Sequence, residues 1–313
     1  MNITKFYLFV ILNVACALTF SGCSHVMSGQ TSGTASSHYL PPVETGHIED
    51  KEIDEASGLA ASKCQPNILW THNDSGDDAF LYAVNEKGAN LGTWSIPNAK
   101  NVDWEDIAEF KDAAGKCWIY ISETGDNRSK KDDHIIYRVS EPPVTPTDAG
   151  SEKKNARISQ PAAALKFRYP SSAPDAETLM VHPVSGDIYI VSKNKTGPSE
   201  VFRLKPLFDA ADEQTAEKIA ELKVPAILNG FVTGGDISPD GKRMAICDYV
   251  AAYEWTLPDG ESNFDKIWAT TPETLDVGKR RGGEAICYSA DGTALFTTTE
   301  GKSAPIYRID RKP

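Results

Sequence analysis

The chain of 313 residues is short of positive charge: 32 Lys and Arg stand against 44 Asp and Glu, a formal net charge of −12. Nucleic acid and anionic membrane surfaces both need a basic footprint, so neither is expected as a partner. Metal cations suit such a balance. Histidine is scarce, six in all, and no His-x-x-x-His spacing occurs, which speaks against a zinc hydrolase site. His25 and His38 fall in tether sequence, His134 and His182 in turns. There is no P-loop, no G-x-S-x-G elbow and no dinucleotide fingerprint. Cysteine is sparse as well, and no C-x-x-C pair suggests a metal knuckle.

What is present begins with an export pattern. Lys5 precedes the apolar run "FYLFVILNVACALTF", which ends in the small residues Ser21 and Gly22 before Cys23. The run is short for a bilayer span and reads as a signal peptide over residues 1–22. "SGC" resembles the lipobox of bacterial lipoproteins, with Phe20 where Leu is usual. That resemblance implies lipidation at Cys23 and a location on the bacterial cell envelope, held to the membrane by lipid alone. Residues 23–44 are then a Ser/Gly-rich tether, too polar for a core, and residues 45–313 a single domain. Export permits disulfides. Cys64 and Cys117 occupy equivalent places in neighbouring repeats and are the candidate pair. Cys247 and Cys287 lie in apolar runs and are expected to be small buried residues.

The domain is built on a repeat. "DEASGLAAS", "VDWEDIAEF", "PDAETLMVH", "TGGDISPDG" and "RGGEAICYS" each place a polar or small residue two positions before Leu or Ile. A turn follows each, then a β-rich run ("ILWTHND", "WIYISET", "IYIVSKN", "MAICDYV", "LFTTTEG") and a third ("FLYAVN", "IIYRVS", "EVFRLK", "AYEWTL", "PIYRID"). These are strand compositions between tight hairpin turns. Four units offer a fourth run: "LGTWSIP", "ALKFRYP", "IAELKVP" and "KIWATTP". Five four-stranded meanders at roughly 50-residue spacing predict an all-β, five-bladed β-propeller. The missing last strand is expected from "TGHIEDKEI" at the domain's start. A six-bladed propeller with one degenerate blade is the alternative. "SEPPVTPTDAGSEKKNARIS" is an insert in the second unit, and "LFDAADEQTAEKIAEL" reads as one short helix.

Inner strands of a propeller line its channel, so the repeated acids should converge at one mouth. In "NVDWEDIAEF", Asp103, Glu105 and Ile107 share one face of an extended chain, and Trp104, Asp106 and Ala108 the other. Glu105 is expected to face the axis, with Ile107 closing the channel below it. Ser57, Glu105, Glu177, Gly235 and Glu284 would form one ring. Carboxylates crowded in a low-dielectric channel repel, so they take up protons or a cation. An all-oxygen ring favours a hard cation, Ca²⁺ before others. Around it, the ends of the second strands supply His72, Asn73, Asp74 and Asp77, then Glu123, Asp126, Asn127 and Arg128, then Lys193, Asp248 and Glu300, with Arg280 and Arg281 before the fifth inner strand. For acid–base work or phosphate orientation the candidates are His72, Asp74, Glu123, Arg128, Arg280 and Arg281.

"EASGLAAS", "ILWTHNDSGD", "LYAVNEKG" and "VDWEDIA" resemble exported bacterial propellers of the SdiA-regulated and esterase-like phytase type. The ring is similar to that of the calcium-activated nucleotidases (apyrases), five-bladed propellers with central Ca²⁺ held by Glu and Ser. That resemblance implies Ca²⁺ as cofactor. At Gly235 the backbone carbonyl or Asp236 would supply the oxygen. Two functions follow as expectations. One is an anchored, monomeric, calcium-stabilised propeller that binds a small molecule or a protein at its mouth. The other is a calcium-dependent phosphoester hydrolase.

Overall fold

The computed structural model describes residues 38–126, 134–208, 212–226, 230–280 and 282–313. The signal-peptide and lipidation expectations, Asn127, Arg128 and Arg281 lie outside the described residues. Strand β1 (Val43–His47) leads into blade 1, formed by β2 (Ala56–Ala61), β3 (Leu69–Asn73), β4 (Phe80–Val84) and β5 (Asn90–Ser95). Blade 2 holds β6 (Ile107–Lys111), β7 (Cys117–Glu123) and β8 (His134–Ser140). The chain then makes β9 (Arg157–Ile158) and returns as β10 (Ala163–Arg168). Blade 3 is β11 (Ala176–Val181), β12 (Ile188–Ser192) and β13 (Ser199–Leu204), followed by β14 (Gln214–Thr215) and β15 (Glu217–Leu222). Blade 4 is β16 (Gly234–Ile237), β17 (Arg243–Cys247), β18 (Ala252–Thr256) and β19 (Glu273–Leu275). Blade 5 is β20 (Gly283–Tyr288), β21 (Ala294–Thr299) and β22 (Pro305–Asp310), and β1 pairs antiparallel with β22 to complete it.

The inner strands β2, β6, β11, β16 and β20 each touch the next, and β20 touches β2. The ring therefore closes at five blades, and the six-bladed alternative falls. There is no single core. Five apolar clusters form, one per blade interface. Alternate residues of an inner strand serve different interfaces: Leu59 and Ala61 pack toward blade 5, Ala60 toward blade 2. This corrects the expectation for Ile107. It packs between blades 1 and 2 with Trp70, Trp94 and Trp104. Strand faces in a propeller meet neighbouring blades, so a side chain reaches the axis by other means, described below.

Two further expectations are overturned. The described residues of the stretch 207–222 form no helix: β14 adds in parallel to β10, and β15 pairs with β13. Ala, Glu and Lys are good helix formers, but tertiary pairing overrides that local preference, and pairing buries Ala216 in the blade 2–3 cluster and Leu222 in the blade 3–4 cluster. "KIWATTP" is not a strand. Residues Phe264–Ala269 form a 3₁₀ helix whose Phe264, Ile267 and Trp268 are buried, and the outer strand follows at β19. Asn263 caps that helix by accepting from Asp265 N–H at 3.1 Å, and apolar residues three and four apart suit a helical turn. The insert of blade 2 contributes β9, which adds in parallel to β5 of blade 1. β14 adds to blade 2 in the same way, so each insert straps the edge of the preceding blade.

Cys64 and Cys117 form a disulfide that joins blade 1 to blade 2, with Cα atoms 6.1 Å apart. Cys247 and Cys287 are buried thiols.

Candidate functional site: an acidic mouth on the propeller axis

Each inner strand carries a bulge at its upper end. In β2 the register skips between Ala56 and Gly58, in β11 between Ala176 and Thr178, and in β20 between Gly283 and Ala285. In blade 2, Glu105 N–H and the Asp106 carbonyl both pair with Ser122, at 3.0 Å each. A bulge turns one residue out of the alternating faces. The residues so released are Ser57, Glu105, Glu177 and Glu284. This is how the three acids escape the blade interfaces and reach the mouth, whereas the Ser57 hydroxyl donates to the Glu105 carbonyl of the next blade.

The fourth blade differs from the sequence reading. Thr233 N–H reaches the Cys247 carbonyl at 2.9 Å while Gly234 is the register partner of Cys247. Thr233 therefore holds the bulge position, and its hydroxyl donates to the Gly283 carbonyl at 2.9 Å. Gly235 lies two positions deeper, and Asp236 deeper still. Thr233–Gly234 matches Ser57–Gly58, a signal that alignment on Ile237 overlooked. A Cβ on Gly234 would collide with the Glu284 carbonyl, as one on Gly58 would crowd Ile107 N–H.

Below the ring lies Asp106, which the sequence reading placed on the strand face opposite Glu105. It is fully buried. Its carboxylate accepts from Ile107 N–H at 2.8 Å, Leu179 N–H at 2.9 Å and Gly235 N–H at 3.2 Å. One side chain of blade 2 thus ties blades 3 and 4. Burial holds its pKa well above the usual carboxylate range, against the pull of those three N–H groups.

The ring acids are 3 % (Glu105), 4 % (Glu177) and 5 % (Glu284) exposed, and they divide into two groups. Glu177 is taken by Lys193, whose ammonium lies 2.6 Å from both carboxylate oxygens and 3.0 Å from the Tyr249 hydroxyl. Phe231 and Tyr249 flank that ammonium with ring centres at 4.9 and 5.0 Å. Glu105 has no such partner. No hydrogen bond reaches its carboxylate from the described residues. Oxygens of Asp74, Asp103 and Glu105 lie within 4.8 Å of one another, as do those of Glu105, Asp175 and Glu177. The two triads share Glu105, so the acidic focus sits off the axis, between blades 1, 2 and 3. Gly125 is part of its wall, since a Cβ there would run into the Glu105 and Asp103 carboxylates.

The electrostatics follow from this crowding. Burial, then the charges of Glu177, Asp74, Asp103 and Asp175, hold Glu105 well above its ordinary pKa. Burial lifts Glu177 to about 7, with Lys193 pulling against it. Burial, then Glu300 and Glu177, lift Glu284 to about 9. Asp74 is raised to about 6 by burial and by Asp103, Glu300 and Glu55. A divalent cation among Asp74, Asp103, Glu105 and Asp175 would offset the mutual repulsion of these carboxylates, and hard carboxylate oxygens in loose array suit Ca²⁺.

The structure brings together part of the expected outer set. Asp74 belongs to the acidic focus. Glu123 lies behind it, holding Val102 N–H at 2.8 Å and Asp103 N–H at 3.3 Å. His72 is fully buried against Trp104, its Nδ1 2.9 Å from the Asn73 carbonyl, and burial lowers its pKa to about 4. Arg280 is buried and donates to the carbonyls of Asp248 (2.9 Å), Ala251 (3.2 Å), Ala285 (3.3 Å) and Thr298 (3.5 Å), clamping blade 4 to blade 5. Asp248 organises its own turn, and Asp77 binds Asn73, Tyr82 and Lys153. Neither His72 nor Arg280 faces the mouth. Beside the focus opens a groove of about 400 Å³, bordered by Asp126, Asp175, Lys193, Asn194, Lys195 and Glu200.

No family model matches the chain, and no curated protein matches it. Fold and mouth define the class: a five-bladed β-propeller with a buried acidic focus at the upper end of its channel.

Proposed function

We propose that the protein is a calcium-stabilised binding propeller of the bacterial cell envelope, which receives a small ligand or a protein segment in the groove beside its acidic focus. One observation carries this reading. Glu105 is a buried carboxylate that lacks a described hydrogen-bond donor and faces Asp74, Asp103, Asp175 and Glu177. Such an arrangement is costly unless a cation or protons fill it. The topology suits a lipid tether at Cys23. Tyr39 bridges Arg311 and β1 enters beside the end of β22, at the face opposite the mouth. A tether leaving there would keep the mouth clear.

The test is a thermal melt of the purified protein with Ca²⁺ and with EGTA, together with metal analysis. A ligand that binds only the folded state raises the melting temperature by mass action. The expected result is a Ca²⁺-dependent rise that Glu105→Gln abolishes. Equal melting in both buffers, with no bound metal, would sink the reading.

Asp74 favours a second reading, a calcium-dependent phosphoester hydrolase of the resembled kinds. It is half-buried at the focus with a pKa of about 6, fit for general-base work near neutral pH. Turnover of nucleotides or phytate that disappears with EGTA and with Asp74→Asn would support it. The placement of His72 and Arg280 away from the mouth favours the binding propeller.

A further inference from the structure

Two oxygen triads at the mouth share Glu105. One is Asp74, Asp103 and Glu105, the other Glu105, Asp175 and Glu177, and the three oxygens of each lie within 4.8 Å of one another. Two cation positions that share a carboxylate are the ligand pattern of a two-metal site, whose ions lie about 3.5–4 Å apart. The second triad already carries a positive charge. Lys193 follows β12 directly, and its main-chain N–H donates to the Asp175 carbonyl at 2.8 Å, which sets the residue beside that triad. Its ammonium has three protons and three acceptors: both Glu177 oxygens at 2.6 Å and the Tyr249 hydroxyl at 3.0 Å. The rings of Phe231 and Tyr249 meet edge to face, 5.2 Å between centres, and both flank the ammonium. Among the described residues, no cationic side chain pairs with Asp74, Glu105 or Asp175.

We propose that the mouth is a two-cation site in which the Lys193 ammonium stands in for the second metal, so that the protein binds a single Ca²⁺, at Asp74, Asp103 and Glu105. This rests on the calcium reading above and adds to it the number of ions and the residue that limits it. The chemistry around Glu177 suits an organic cation. Aromatic faces attract an ammonium, whereas Ca²⁺ needs several oxygens, and Phe231 offers none. Displacing the ammonium would break a buried ion pair and leave a charge unpaired. At Asp74 and Glu105 an incoming ion has no described ammonium or guanidinium to displace.

Equilibrium dialysis at saturating Ca²⁺ and pH 7.5 counts the ions. The wild-type protein should hold one Ca²⁺ per chain. Lys193→Met should hold two, because Glu177 is then open to a metal. Lys193→Met/Glu177→Gln, which also removes the acid of the second position, should return to one. One ion in both the wild type and Lys193→Met overturns the proposal and leaves the calcium reading standing. No ion in either overturns both. Two ions in the wild type overturn the limit set by Lys193. Should Lys193→Met fail to fold in EGTA, its thermal melt in Ca²⁺ decides. The second ion replaces the missing charge, so saturating Ca²⁺ should restore a cooperative transition. A chain that stays unfolded in Ca²⁺ overturns the proposal.

Discussion

Asp106 shows how much one residue can organise. Its carboxylate gathers N–H groups from three blades in a place no water reaches. Asp106→Ala strands three buried donors, each costing about 1–3 kcal/mol, so urea unfolding should show a loss of at least about 3 kcal/mol. Asp106→Asn keeps one acceptor oxygen and should fall between. An Ala variant with an unchanged midpoint would mean that the clasp does not stabilise the channel. Lys193 makes a different point. It is the built-in counter-ion of Glu177, and removing one partner of a buried pair costs about 3–5 kcal/mol. Lys193→Met should therefore destabilise strongly at pH 7.5 and much less at pH 5, where Glu177 can take a proton instead. Denaturation curves at the two pH values check this, and equal losses would place the effect in packing against Phe231 and Tyr249.

At the level of elements, the Cys64–Cys117 bridge spans 53 residues and ties blade 1 to blade 2. On chain-entropy grounds a loop of that length stabilises by about 4 kcal/mol. The Cys64→Ser/Cys117→Ser double variant should lose about 3–4 kcal/mol in urea unfolding and become insensitive to reductant. The inner three strands of every blade were legible in the sequence, because tight turns and β-rich runs recur in phase. The outer strands were less so. "KIWATTP" is aromatic and β-branched enough to suggest a strand, but its apolar residues fall at helical spacing behind the Asn263 cap. In 207–222 local preference pointed to helix, and the open edge of β13 decided for strand. The bulges were invisible as such, yet they determine which side chains reach the axis. For that reason Glu105, Glu177 and Glu284 were found, while Thr233 was displaced by Gly235. Asp106 was missed because its role depends on donors from blades 3 and 4, far away in sequence.

The whole molecule couples its charge to pH through the mouth. Glu105, Glu177 and Glu284 all have folded-state pKa values above the ordinary carboxylate value, the last two at about 7 and about 9. Below about pH 4.5 both folded and unfolded chains hold these protons, and the acids cost nothing extra. As pH rises the unfolded chain releases them first, while the folded one retains them until its higher pKa values are passed. Stability should therefore decline steadily from pH 5 to pH 9 in EGTA. A cation at the focus reverses this, since it binds the ionised form and displaces protons, so its affinity should rise over the same interval. Melting temperatures collected from pH 5 to pH 9 with and without Ca²⁺ should diverge, with the two curves close at pH 5 and widest apart at pH 9. Glu105→Gln should flatten the EGTA curve and bring the Ca²⁺ curve down onto it. Parallel curves across the whole range would instead mean that Ca²⁺ acts on exposed carboxylates away from the channel, where no raised pKa links binding to proton release.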